Sequence, residues 1–338
     1  MPTGLSYACE QRFALGINYA WHNFGSDFGG VAAWNVKSIS QDPGPIDADL
    51  SAMHAAGVSV IRWWVFPDFR GDGVTFDGAG DPTGISAVTV SDVAKALDLA
   101  AKNDVYVVLT IFSFDDFRPD RNESGIFIRG MSSMVANASR RAKLTENVVR
   151  PLARAAAQSA NSGRLLGWDV INEPEWAVRA VGSAPGGQDF TPNSELTTVT
   201  LDEMKSLINE SAAVLKQETP SSLTSVGWAA AKWAWAFDDV TSIDFDQPHI
   251  YGWVDQYWPY TRTPTELGYG TRPTVMGEFF LRPMPFSDGG DNATFADIVG
   301  SWWDHGFAGA WAWQFADGSQ NLSLIQSFKA QKGCQAGF

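Results

Sequence analysis

The sequence of 338 residues contains no run of 18 apolar residues, so no transmembrane helix is expected. It lacks a Walker-type phosphate loop and a Gly-x-Ser-x-Gly elbow, which removes the common nucleotide-hydrolysing and serine-nucleophile designs. Histidine is scarce. His22, His54, His249 and His305 are scattered and no His-x-His occurs, against the clustered ligands that a metal-dependent barrel hydrolase needs. No metal and no cofactor are therefore expected. Positive charge is also in short supply: 24 Lys and Arg against 38 Asp and Glu leave a formal net charge of -14. Like charges repel, so neither nucleic acid nor an anionic membrane surface is expected as a partner. The first residues lack the basic and apolar regions of an export signal, so any such signal is absent or already removed.

Tryptophan, by contrast, is abundant, with 15 residues. Leucine fills a core without a buried N–H to satisfy, whereas a flat indole stacks well on the C–H face of a sugar ring. Several of these tryptophans are thus candidates to line a carbohydrate cleft. Apolar, β-rich runs at 14–20, 58–66, 105–114, 165–172, 223–228, 245–251, 274–279 and 308–315 predict eight strands buried on both faces. Helical patterns at 47–56, 90–103, 145–160, 201–218 and 294–305 alternate with them, with Ser91 and Thr145 near two of the expected starts. The alternation predicts a single α/β domain, 1–338, folded as a (β/α)8 TIM barrel. A closed barrel brings its first and last elements together, so a disulfide between Cys9 and Cys334, the only cysteines, is expected over two unpaired thiols. The long segments 115–143 and 174–200, rich in Gly, Pro, Ser and Asn, become loops on the catalytic face, where they wall one side of a cleft.

Hydrolysis of a glycosidic bond takes two carboxyl groups, one to protonate the leaving oxygen and one to attack or to activate water. Glu173 ends the fourth strand, just before Pro174, and Glu278 ends the seventh, just after Gly277. Strands four and seven lie across the ring from each other, so the two side chains can meet over the barrel mouth.

The stretch WDVINEPEW resembles the Asn-Glu-Pro signature of glycoside hydrolase clan A, and VMGEFF resembles that clan's nucleophile segment. Within the clan the chain is most similar to family 5, which holds cellulases and β-mannanases. The resemblance implies that Glu173 is the general acid/base and Glu278 the nucleophile of a retaining mechanism, in which the charge of Glu278 raises the pKa of Glu173. It further implies that Arg62, in VIRWWVF, keeps Glu278 ionised, and that the Asn172 amide bonds the sugar 2-hydroxyl. His249 and Tyr251, in QPHIYGW, are implied to position the acid/base and to bond the nucleophile. Trp311 and Trp313 share a face of the last strand, and the Trp-Gln-aromatic run at 313–315 is similar to that of β-mannanases, which makes Trp313 the floor of the cleavage subsite. Trp21 with His22, Trp63 with Trp64, Trp176 and Trp228 are further lining candidates. Family 5 members often carry a His at the end of strand three, where this chain reads IFSFDDF; Asp115 or Asp116 is the candidate to accept a hydroxyl there.

The expected function is a secreted, monomeric retaining β-glycosidase whose partner is a carbohydrate substrate: β-1,4-mannan first, β-1,4-glucan or an exo-acting mode second. A barrel that binds sugar without cutting it is the rival of a different class.

Overall fold

Eight parallel strands form in the expected order: β1 Ala14–Asn18, β2 Val60–Trp64, β3 Tyr106–Ser113, β4 Leu165–Asn172, β5 Leu223–Trp228, β6 Gln247–Pro248, β7 Val275–Met276 and β8 Gly309–Ala312. The computed structural model describes residues 4–251, 261–280, 284–286, 290–316 and 322–338, with the backbone alone at 284–286 and 290–293. Neighbouring strands pair from β6 through β5, β4, β3, β2, β1 and β8 to β7. Bridges Asp246↔Thr274 and His249↔Glu278 join β6 to β7, which closes the ring. The fold is the (β/α)8 barrel.

Strands such as β3, YVVLTIFS, and β4, LLGWDVIN, are almost wholly buried because barrel side chains on one face fill the interior while the other face receives helices. One layer of that interior, built by Val60, Val108, Leu166, Phe245, Val275 and Trp311, forms an apolar plug beneath the strand ends. Helices α1 Gly44–Ala55, α2 Ala87–Lys102, α3 Arg150–Gln158, α4 Leu201–Glu218, α5 Phe295–Asp304 and α6 Leu322–Lys332 surround the sheet. In α4 the buried positions Met204, Leu207, Ile208, Ser211 and Leu215 recur at helical spacing, and the Thr200–Glu203 capping box satisfies its first turn. Among the described residues, the connections after β5 and β6 carry only the short turns Ala231–Ala236 and Thr265–Leu267.

Two helix starts differ from the sequence expectation. Helix α2 begins at Ala87, because Ser86 accepts from the Thr89 N–H; Ser91 lies inside the helix and bonds back to the Ala87 carbonyl. The helix expected from Thr145 begins at Ala138, capped by Asn137, and runs through a π-turn at Thr145–Val149 into α3. Both caps sit one or more turns upstream of the apolar stripe, where pattern alone does not place them.

The expected disulfide is absent: Cys9 and Cys334 are both free and exposed. The chain ends do meet, since Phe13 bridges Ala336 and the Arg12 guanidinium donates to the Cys334 carbonyl at 2.8 Å. Cys9, however, lies at the turn of the hairpin Leu5–Tyr7/Glu10–Arg12, three residues from Arg12. It is Arg12, at the far end of the second strand, and not Cys9 at the turn, that reaches Cys334. Titration of the folded protein with a thiol reagent is expected to count two reactive thiols.

Candidate active site

The strand ends carry the polar side chains that the apolar interior excludes. Arg62, on β2, is fully buried and is the hub. Its guanidinium donates to Asp169 at 2.8 and 2.5 Å, to Glu278 at 2.6 Å, to the Asn18 oxygen at 3.0 Å and to the Asn172 oxygen at 2.7 Å. Burial opposes its charge, but Asp169 and Glu278 outweigh that penalty and raise its pKa. Truncation to Ala would strand two buried carboxylates. Arg62→Ala is expected to cost about 3–5 kcal/mol, the usual scale for breaking a buried pair, read by denaturant unfolding.

Glu278 follows Gly277, and a Cβ on residue 277 would meet the Gln247 side chain at 2.3 Å, so only glycine lets β6 and β7 approach here. One Glu278 oxygen takes Arg62 and the other accepts from the Tyr251 hydroxyl at 2.5 Å. Burial raises its pKa, while His249, Arg62 and the Tyr251 bond oppose that rise.

Glu173 is the first residue beyond β4 and adopts a left-handed backbone, φ 50 and ψ 52, at the start of the turn Pro174–Ala177. This conformation costs a non-glycine residue about 1–2 kcal/mol and swings the side chain over the barrel mouth. One Glu173 oxygen lies 2.8 Å from His249 Nδ1, and the other accepts from the Trp176 indole N–H at 2.8 Å. Desolvation is the leading cause that pushes its pKa up to about 7, with a smaller contribution from Asp115. The sequence reading ascribed this rise to the charge of Glu278; burial is the leading cause instead. His249 is itself pushed down to about 4 by burial, so its ring is neutral over the working range.

Donor atoms of Glu173, His249 and Glu278 all lie within 4.8 Å of one another. That trio could ligate a cation by geometry, but the Arg62 guanidinium on Glu278 places a fixed positive charge against one.

The tryptophans separate into two groups. Trp21, Trp64 and Trp313 are mutually edge-to-face, with ring centroids 5.5–6.2 Å apart, and Arg62 sits 4.2 Å over the Trp64 ring. Trp63 is core, its indole donating to Asp27; Trp228 is core, stacked on Phe237; and Trp311 lies in the interior plug. His22 is exposed beside Asp49. Of the two aspartates after β3, Asp116 is buried and accepts from the Ser113 N–H, a turn cap. Asp115 is partly open, pairs with Arg118 at 2.9 Å and is felt electrostatically at Glu173. The two long loops pack together through Thr197 N–H to the Phe117 carbonyl at 2.8 Å and Ser132 to the Thr197 carbonyl at 2.6 Å.

Sequence reasoning missed Asn18 and Asp169. Asn18 donates to the Gly277 and Trp311 carbonyls, and Asp169 accepts from Arg62, Thr110 and the Gly227 N–H. Each is a polar residue inside an apolar strand, the signal that singled out Arg62.

A (β/α)8 barrel with facing glutamates on its fourth and seventh strands, an arginine between them and tryptophans beside them has the layout implied by the clan A resemblance. No family model matches the chain. It is similar to the mannan endo-1,4-β-mannosidase of Mytilus edulis, 23% identical over 365 aligned positions covering 97% of this chain and 91% of that protein. Among solved structures it resembles the Mytilus edulis β-mannanase, with TM-score 0.79, 20% identity and coverage of 100% and 97% of the two chains. The β-1,4-mannanase of Aplysia kurodai gives 0.78 and 18%, covering 100% of this chain. These likenesses agree with the clan A, family 5-like motifs read from the sequence.

Proposed function

We propose that this chain is a retaining endo-β-1,4-mannanase, built as one catalytic domain, with Glu173 as acid/base and Glu278 as nucleophile. The observation that carries the reading is the pair of carboxylates within 4.8 Å, each with different partners. Retaining pairs sit about 5–5.5 Å apart and inverting pairs about 6.5–9.5 Å, so the close approach of these carboxylate oxygens supports retention.

In the first step a Glu278 oxygen attacks the anomeric carbon while Glu173 gives its proton to the departing glycosidic oxygen. The products are a glycosyl ester on Glu278 and a free sugar hydroxyl. In the second, Glu173 removes a proton from water as that water attacks the anomeric carbon, and Glu278 leaves as carboxylate. Arg62 and Tyr251 hold both Glu278 oxygens and so favour its ionised form. The Trp176 N–H and the nearby Arg62 charge favour the ionised form of Glu173 in the second step, while burial supplies the protonated form for the first. With the Asn172 oxygen taken by Arg62, its N–H2 group is left to bond the 2-hydroxyl. Trp313 and Trp21 form the apolar floor, backed by Trp64, which at 2% exposure is packed beneath them and not open to a sugar as the sequence suggested, and Asp115 serves a sugar hydroxyl.

Mannan as substrate rests on the mannanase names of the relatives and on the Trp-Gln-aromatic run at 313–315. A polymer of that size implies an extracellular enzyme, and all the catalytic groups come from one chain, in keeping with a monomer. The product profile on mannan, a soluble cellulose derivative and xylan tests this. Mixed-length oligomers from mannan are expected; products from the cellulose derivative alone would move the assignment to a glucanase, and single sugars alone to an exo mode.

The pH profile follows from Glu173. Its proton is required in the first step, so kcat/KM is expected to fall as pH rises through about 7. An alkaline fall starting two units lower would contradict this placement of the acid.

A further inference from the structure

Glu175, two residues beyond the acid/base, is a buried carboxyl that the mechanism above does not use. It is 1% exposed and, among the described residues, no cation pairs with it. Both of its oxygens lie 3.1 Å from the Ala229 N–H.

The strand ladder explains why that bond exists. Asn172 pairs with Gly227, and the Glu173 N–H donates to the Gly227 carbonyl at 2.7 Å, as a parallel ladder requires. The next rung would run from the Ala229 N–H to the Glu173 carbonyl. The left-handed turn at Glu173 removes that acceptor, and the Trp176 N–H takes the carbonyl instead at 3.3 Å. Ala229 is 1% exposed, and its orphan donor would be costly to leave unpaired.

We propose that Glu175 is a positioning residue for the acid/base: its carboxyl replaces the backbone acceptor that β4 loses at Glu173, and it works in the protonated state. The inference rests on the reading of Glu173 as acid/base. Two backbone N–H groups, of Ala229 and of Glu175 itself, favour the charged form, but Glu173 on the same turn repels a second negative charge, and Tyr269, after β6, is a neutral phenol with Asp246 behind it; burial outweighs the two donors. Burial pushes the Glu175 pKa up to about 8. Ionised Glu175 would hold the turn with an unpaired buried charge beside the group that must itself give up a proton.

The test compares wild type, Glu175→Gln and Glu175→Ala by kcat and KM across pH, with thermal melts at each pH. Two required protons make wild-type kcat/KM fall about hundredfold per pH unit above pH 8. Glu175→Gln keeps an oxygen for Ala229 but cannot ionise, so its fall is about tenfold per unit with near-normal kcat at pH 6. Glu175→Ala is expected to lose about tenfold to hundredfold in kcat with little change in KM, the scale of a displaced catalytic group. Equal alkaline slopes in wild type and Glu175→Gln, or wild-type kcat in folded Glu175→Ala, would overturn the proposal. Glu173→Ala with azide on an activated aryl β-mannoside separates the two levels: a glycosyl azide product upholds the acid/base reading whatever the Glu175 variants do.

Discussion

Glu278→Ala is expected to abolish hydrolysis of mannan and of aryl β-mannosides, lowering kcat by a factor on the order of 10^4 to 10^6, as removal of a covalent nucleophile does elsewhere. At 1.36 kcal/mol per decade this corresponds to about 5–8 kcal/mol of lost transition-state stabilisation. No neighbour can substitute. Glu173 points its oxygens at His249 and Trp176, and Asp169 is committed to Arg62, Thr110 and Gly227. Folding should survive better than in Arg62→Ala, because Arg62 keeps Asp169 as a partner at 2.5 Å. The check is kcat on an aryl β-mannoside with a thermal melt beside it. Equal, background-level rates for wild type and variant would instead leave a sugar-binding barrel without activity.

Glu173→Ala should fail differently, because its proton matters only when the leaving group needs one. On mannan a loss of about 10^2 to 10^4 is expected, the usual worth of a general acid. The dinitrophenolate of a dinitrophenyl β-mannoside leaves unaided, so formation of the ester on Glu278 should be nearly unaffected and its breakdown should become limiting. Azide needs no general base. It should restore turnover and yield a β-mannosyl azide, since two inversions return the starting configuration. Equal losses on both substrates, with no azide product, would remove Glu173 from the acid/base role.

The barrel was legible because most of the strands are near-continuous apolar runs, and all eight strands appear within the expected segments. Helix starts were less so: Ser86 and Asn137 cap through their own side chains, which leaves no trace in the periodicity downstream. The two facing glutamates were legible from short motifs at strand ends. Their electrostatics were not, because burial, which no motif encodes, sets the pKa of Glu173 ahead of any neighbouring charge. Asn18, Asp169 and Glu175 escaped for a related reason. Their importance lies in which buried donor they satisfy, and Ala229 becomes an orphan only through the left-handed turn at Glu173. The cysteines mislead in the opposite direction: proximity of the chain ends is real, but a hairpin sets Cys9 at its turn.

Double displacement by two facing glutamates retains configuration, and the anomeric form of the first product tests that mechanism most directly. Proton NMR of a mannooligosaccharide digest, recorded before mutarotation, should show the new reducing end appearing as the β-anomer, with the α-anomer growing only later. Initial appearance of the α-anomer would mean inversion, and the assignment of Glu278 as nucleophile would be wrong.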